Sequence, residues 1–229
     1  MKQNLHTWLV LFGGAGREKV VKQLTNEGYI IQAVIVPSKR SKELKKSISK
    51  ITSMGHKIIQ STPKELDRIL RIYSAQNILS VGYPYIIPEN ILKRYETSIN
   101  IHPTLLPKYR GPTTGAYILM NNENESGSTV HFMTKEVDAG DIVLQKKVNL
   151  SPFDTIKSLQ RKVYAIEPEL ISKALKLLGD NSFKKQDLAN GSIYPKRRKP
   201  SDSQIDPNKS LMDLFDEIRA SDPQEFPAF

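Results

Sequence analysis

The chain contains no cysteine. That excludes disulfides, thiolate metal sites and a cysteine nucleophile, and it fits a reducing compartment. No apolar run approaches the ~18 residues that a membrane span needs. The opening MKQNLHTWLVLFGGAG has one early lysine, a short apolar run and then glycines where an export signal would have a cleavage pattern. A cytoplasmic protein with no membrane partner is expected. Histidine is also scarce: the four present are scattered, with no short-spaced cluster of histidines and carboxylates, so no metal is expected. A dinucleotide fingerprint is incomplete, since Gly14 and Gly16 are followed by Lys19 at the third glycine position. Internal repeats and low-complexity tracts are missing as well.

What the chain has in excess is positive charge, +10 from 34 Lys and Arg against 24 Asp and Glu. The cations concentrate at residues 39–50 and 196–199, without the interleaved aromatics that single-strand binders use for stacking. They read as a lysine-rich helix surface and a solvated linker; the alternative is a field that attracts an anionic substrate. Nucleic acid is not expected as a partner.

With 229 residues the chain suits one α/β domain with an appendage. HTWLVLF (6–12) reads as a buried strand, a glycine turn (13–16) follows, and a helix is expected over 17–26. Further strands are expected at 29–36, 57–60, 77–81, 97–101, 127–134 and 142–150. Helices are expected at 41–54, after a cap at 61–63, at 116–122 and over 154–178, the last opening at a Ser151–Pro152 cap. Pro168 should kink or interrupt that long helix, whose buried stripe runs through Ile156, Leu159, Val163, Ile166, Leu170, Ile171, Ala174 and Leu177. This alternation argues an α/β fold: a Rossmann-like, mostly parallel sheet with helices on both faces, plus a short C-terminal extension. The expected division is a core at 1–180 and an extension at 181–229, with a helix at about 208–220.

The chemistry concentrates between residues 98 and 141. SINIHPTLLPKYRGPTTGAY places Asn100 and His102 two residues apart at the end of a strand, so both project from one face while Ile99 and Ile101 turn into the core. A proline-rich loop follows, and its prolines hold it before substrate arrives. About thirty residues on, STVHFMTKEVDAGDI sets Asp138 in a glycine-containing turn between two strands, able to aim a carboxylate at an imidazole. An amide, a titratable ring and an acid together suit acyl transfer. Lys108 and Arg110 protrude as contacts for phosphate or carboxylate. His131 reads as packing, and Asp141 as a cap beneath Asp138.

Asn100-Ile-His102-Pro-Thr-Leu-Leu-Pro-Lys-Tyr-Arg-Gly111 followed by Val137-Asp138-Ala-Gly-Asp141 resembles the signature of the folate-dependent formyltransferases. That family includes methionyl-tRNA formyltransferase, glycinamide ribonucleotide transformylase and the sugar N-formyltransferases. The resemblance is dense over 82–178. It implies formyl transfer from formyl-tetrahydrofolate (10-formyltetrahydrofolate) to an amine, with Asn100, His102 and Asp138 as catalytic residues. It also implies that the loop carrying Gly82, Tyr83, Pro84, Tyr85, Ile86 and Pro88 holds the pterin ring, together with Asp138. Thr104, Lys108, Tyr109, Arg110 and Gly111 are the candidate substrate contacts. The tail, with Arg219-Ala220 and the ending Phe226-Pro227-Ala228-Phe229, resembles that of the methionyl-tRNA and sugar enzymes, without the further β-barrel domain of the former. The resemblance therefore favours a dTDP- or UDP-linked amino sugar as substrate, in a pathway such as O-antigen biosynthesis, with a homodimer as the assembly. A purine-pathway amine, an aminoacyl-tRNA or a non-catalytic folate-binding role are the alternatives.

Overall fold

A computed structural model describes residues 7–179, 183–222 and 228. Seven strands form one sheet: β1 (Thr7–Phe12), β2 (Ile30–Pro37), β3 (Ile58–Ser61), β4 (Asn77–Val81), β5 (Thr97–His102), β6 (Glu125–Phe132) and β7 (Ile142–Asn149). Their order is β3-β2-β1-β4-β5-β6-β7, parallel from β3 to β5 and antiparallel at β6 and β7. This is the α/β, Rossmann-like architecture expected from the alternation of elements.

Both faces of the sheet are covered, so its central strands read as unbroken apolar runs. Along β1, Trp8, Val10 and Phe12 enter one core with α1 (Glu18–Asn26), α2 (Lys42–Ser53) and α6 (Ile156–Leu177). Leu9 and Leu11 enter the opposite core with α3 (Leu66–Leu70) and α4 (Glu89–Leu92). A third core joins α5 (Gly115–Met120), α6 and Ala220 of α7 (Leu211–Ala220).

Strand order reverses between β1 and β4, where open α/β sheets form a crevice at the carboxyl ends of their strands. Here the crevice floor is tied down by the Gly13 and Gly14 N–H groups, which both donate to the Val81 carbonyl at the end of β4, at 3.0 and 2.9 Å.

Three expectations change in detail. Helix α6 runs unbroken through Pro168: a helix of 22 residues held by packing along its length tolerates the loss of one hydrogen bond. It begins at Ile156, because Thr155 and Ser158 form a reciprocal capping box and out-compete the Ser151–Pro152 cap. Likewise α7 starts at Leu211, behind a Ser210 cap that accepts from Asp213 N. His6 and the 226–229 motif, apart from Ala228, lie outside the described residues. Among the described residues, no helix is long and apolar enough to cross a membrane.

Candidate active site

Asn100 and His102 stand on one face of β5 while Ile99 and Ile101 are fully buried on the other. Asp138 arrives from the β6–β7 turn with φ at +52°, a left-handed conformation that a non-glycine residue holds only under constraint. That backbone aims its carboxylate at β5. Oδ2 lies 3.5 Å from His102 Nδ1, Oδ1 lies 3.4 Å from Asn100 Nδ2, and the Gly111 N–H donates to Oδ2 at 2.9 Å. The three expected residues therefore meet around one carboxylate.

The His102 ring is oriented from behind. Its Nε2 lies 2.9 Å from the Tyr109 carbonyl. A carbonyl only accepts, so Nε2 carries the hydrogen, and in the neutral ring Nδ1 is the free base facing Asp138. Burial pushes the His102 pKa below its ordinary value, the charge of Asp138 and the Tyr109 carbonyl opposing it. Burial also works against the Asp138 carboxylate, but the His102 and His131 rings, once protonated at low pH, and the Gly111 N–H outweigh it and hold its pKa far below the usual carboxylate range. At neutral pH the site thus holds a neutral imidazole beside an ionised carboxylate.

His131, expected as packing, belongs to this network. It is paired opposite Asn100 across β5 and β6. Its Nδ1 donates to the Phe132 carbonyl at 2.8 Å, which leaves Nε2 to accept from Asn100 Nδ2 at 3.1 Å. Nε2 also lies 3.5 Å from Asp138 Oδ1. The Asn100 amide nitrogen is thereby turned toward the carboxylate, and its long 3.4 Å contact is the one that a better acceptor could displace. Only the antiparallel register of β6 against β5 reveals His131: it sets 131 opposite 100, while the turn that carries Asp138 joins β6 to β7 beyond it.

Beneath His102 lies an ion pair that sequence reasoning missed. Arg17 donates through Nε and Nη2 to both oxygens of Glu167, at 2.7 and 2.6 Å, and Nη2 also reaches the Ile101 carbonyl at 2.9 Å. Both side chains are buried. Burial opposes the Arg17 charge, yet Glu167 outweighs it and holds the guanidinium pKa above its ordinary value. Asp141 meets the Phe132 N–H through its main-chain carbonyl, and the turn is held by Gln186 where a carboxylate cap had been expected.

These groups open onto a cleft of about 1150 Å³. Gly82, Tyr83, Pro84, Tyr85 and Ile86 line one wall; Pro88 does not, because it caps the start of α4, and Ile87 and Leu92 line it instead. Ile86 and Val137 are apolar and exposed on this wall, 74% and 37% respectively, a surface suited to cover a flat apolar ligand. Of the five expected substrate contacts, Gly111 lines the cleft. Thr104 is fully buried and braces the Lys108 and Tyr109 carbonyls, while the Tyr109 hydroxyl donates to Glu123 at 2.8 Å. Lys108 lies 3.6 Å from Glu123, and Arg110 pairs through its backbone with Ser192 and Tyr194. The loop turns these four residues into its own scaffold. The opposite wall comes from α6, through Gln160, Arg161 and Tyr164, and from Pro195, Arg197 and Arg198 of the extension.

Fold and cleft together define a Rossmann-like α/β enzyme with an acid–imidazole–amide site at the carboxyl edge of its sheet. The sequence profile of the formyl transferase family matches residues 13–175, and the chain belongs to that family. It is a transferase. Methionyl-tRNA formyltransferase of Streptococcus thermophilus is 29% identical over 211 residues, covering 87% of this chain and 68% of that protein. A 4-N formyltransferase from Francisella tularensis superposes with a TM-score of 0.76 at 23% identity, over 96% of this chain and 90% of that one. WlaRD, a sugar 3N-formyl transferase whose structure was determined with dTDP and 5-N-formyl-THF, does so with a TM-score of 0.68 at 22% identity, over 94% and 78%.

Proposed function

We propose that the chain transfers a formyl group from formyl-tetrahydrofolate to the amine of a nucleotide-linked amino sugar, with Asn100, His102 and Asp138 as the catalytic residues. The observation that carries this reading is the Asp138 carboxylate bridging His102 Nδ1 and the Asn100 amide at the floor of the cleft. The folate co-substrate supplies the formyl carbonyl, and the Gly82–Ile87 wall with its exposed apolar side chains is where its ring would lie. As the amine nitrogen bonds to the formyl carbon, His102 Nδ1 takes its proton, and it gives that proton to the tetrahydrofolate nitrogen when the formyl carbon–folate nitrogen bond breaks. Asn100 Nδ2 donates to the carbonyl oxygen as negative charge builds there, exchanging its weak contact to Asp138 for a stronger one. Asp138 holds the ring in place and stabilises it once protonated.

Two features support the acceptor. Lys19, Arg161 and Arg197 stand around the cleft and suit a diphosphate, and WlaRD, which shares the fold, was determined with dTDP. The likeness to methionyl-tRNA formyltransferases favours an aminoacyl-tRNA as the second reading. We take 1–180 as the catalytic core and 181–229 as an extension that completes its cleft.

Incubation with 10-formyltetrahydrofolate and a panel of dTDP- and UDP-amino sugars, glycinamide ribonucleotide and methionyl-tRNA should add the mass of one formyl group to an amino sugar. Formylation of the tRNA alone overturns the sugar assignment; no formylation of any member overturns the activity.

A pH profile gives a second test. A neutral His102 is needed to accept the proton, and its pKa lies below the ordinary imidazole value. Activity should therefore fall as pH drops through that lowered pKa and stay level across neutrality. In Asp138→Asn the ring loses the charge that favours its protonated form, so the acidic limb should move to lower pH. A limb that moves upward contradicts the assigned roles.

A further inference from the structure

Asp138 keeps a backbone conformation that L-residues rarely adopt, and such conformations persist where the surroundings over-determine them. Part of the restraint is local. Gly140 lies so close to the Phe132 carbonyl that no side chain would fit, and the Gly111 N–H holds the Asp138 carboxylate. The remainder comes from beyond the core. Gln186 Nε2 donates to the main-chain carbonyls of Asp138 at 3.0 Å and Gly140 at 2.6 Å, tying both ends of the turn with one amide.

The segment that carries Gln186 is itself fixed. Lys184 and Ile142 exchange two backbone hydrogen bonds, at 2.8 and 3.0 Å, and the Phe183 ring packs edge-on against Phe132 at 4.7 Å. Meanwhile Gln186 Oε1 is buried with no hydrogen-bond partner. The amide thus bears on the turn through its nitrogen, which makes both of its hydrogen bonds to the turn's carbonyls. We propose that Gln186 is a positioning residue for formyl transfer: its amide fixes the turn that aims the Asp138 carboxylate at His102.

The inference rests on the Asp138–His102 assignment above, and its test separates the two. The groups facing Asp138 are Asn100 and His102 from β5, His131 from β6 and the Gly111 N–H, with Arg17 bearing on His102 from beneath. Gln186 adds no charge, so it can act on the His102 titration only by moving the carboxylate. The full-length protein, labelled with ¹⁵N-histidine, is titrated by NMR as wild type, Asp138→Asn, Gln186→Ala and the similarly long Gln186→Met. Asp138→Asn should lower the His102 midpoint. Both Gln186 variants should lower it in the same direction by a smaller amount, and with the acceptor selected by the panel their kcat should fall about 10- to 100-fold with KM nearly unchanged.

Should both Gln186 variants keep the wild-type midpoint while Asp138→Asn shifts it, Gln186 has no positioning role, and a lower melting temperature alone would mark it as merely structural. An unmoved midpoint in Asp138→Asn would instead overturn the underlying assignment. If Gln186→Ala does not fold, Gln186→Met, which lacks the donor but fills the space, decides the question.

Discussion

His102→Ala should lower kcat by about 10²- to 10⁴-fold, the usual worth of a positioned general base, while the far-ultraviolet circular dichroism stays that of the wild type. The expectation follows from how the ring is held. Its Nε2 is committed to the Tyr109 carbonyl, so Nδ1 is the atom that can exchange a proton, and it faces the carboxylate at the cleft floor. Alanine leaves the Tyr109 carbonyl one partner short, with Thr104 Oγ1 still within 3.3 Å, so the structural cost is small beside the catalytic one. Asn100→Ala should cost about 10²- to 10³-fold, as loss of one oxyanion donor does elsewhere. Wild-type turnover by either variant would remove the mechanism.

The largest loss of stability should come from Glu167→Ala. Removing one partner of a buried ion pair costs roughly 3–5 kcal/mol because the other charge is stranded. Arg17 would be stranded in this way, its side chain only 2% exposed and its other contacts the Ile101 carbonyl and the face of the Tyr164 ring, neither of which carries a compensating charge. For a chain of this size that loss lowers the melting temperature by roughly 6–20 °C. Glu167→Gln, which keeps an acceptor oxygen and the shape, should lose less. Calorimetry on the two variants checks this, and a Glu167→Ala protein that melts within a degree of wild type would mean that Arg17 is not trapped.

Periodicity and turn chemistry were enough to read most of the fold. The seven strands, the glycine turn after β1 and the long helix before the extension all follow from apolar runs and their punctuation. The Asn-x-His spacing likewise follows from the two-residue repeat of a strand, and Asp138 from its place in a glycine turn. What escaped was whatever depends on which strands lie side by side. His131 looks like any strand histidine until β6 pairs antiparallel with β5 and sets it opposite Asn100. Glu167 was hidden for a related reason: the apolar stripe of α6 predicts Ile166 at that level, but the position that faces inward is Glu167, with its partner 150 residues away on the first loop. Thr104, Tyr109 and Arg110 were expected to meet substrate; instead the Thr104 hydroxyl braces the loop's own carbonyls, the Tyr109 hydroxyl is held by Glu123, and the Arg110 backbone pairs with the extension.

The joining of extension to core is dense. Tyr194 stacks between Tyr109 and Tyr117, Arg198 lies over the Tyr117 ring, and Arg197 reaches across to the Pro84 carbonyl at 3.3 Å. A nascent chain that has emerged from the ribosome only as far as residue 180 would therefore carry the amide, the imidazole and the acid, yet lack Gln186, the tyrosine stack and one side of the cleft. Full competence for the reaction should therefore wait until residues 183–222 have folded back onto the core, and shorter translation products should turn over slowly.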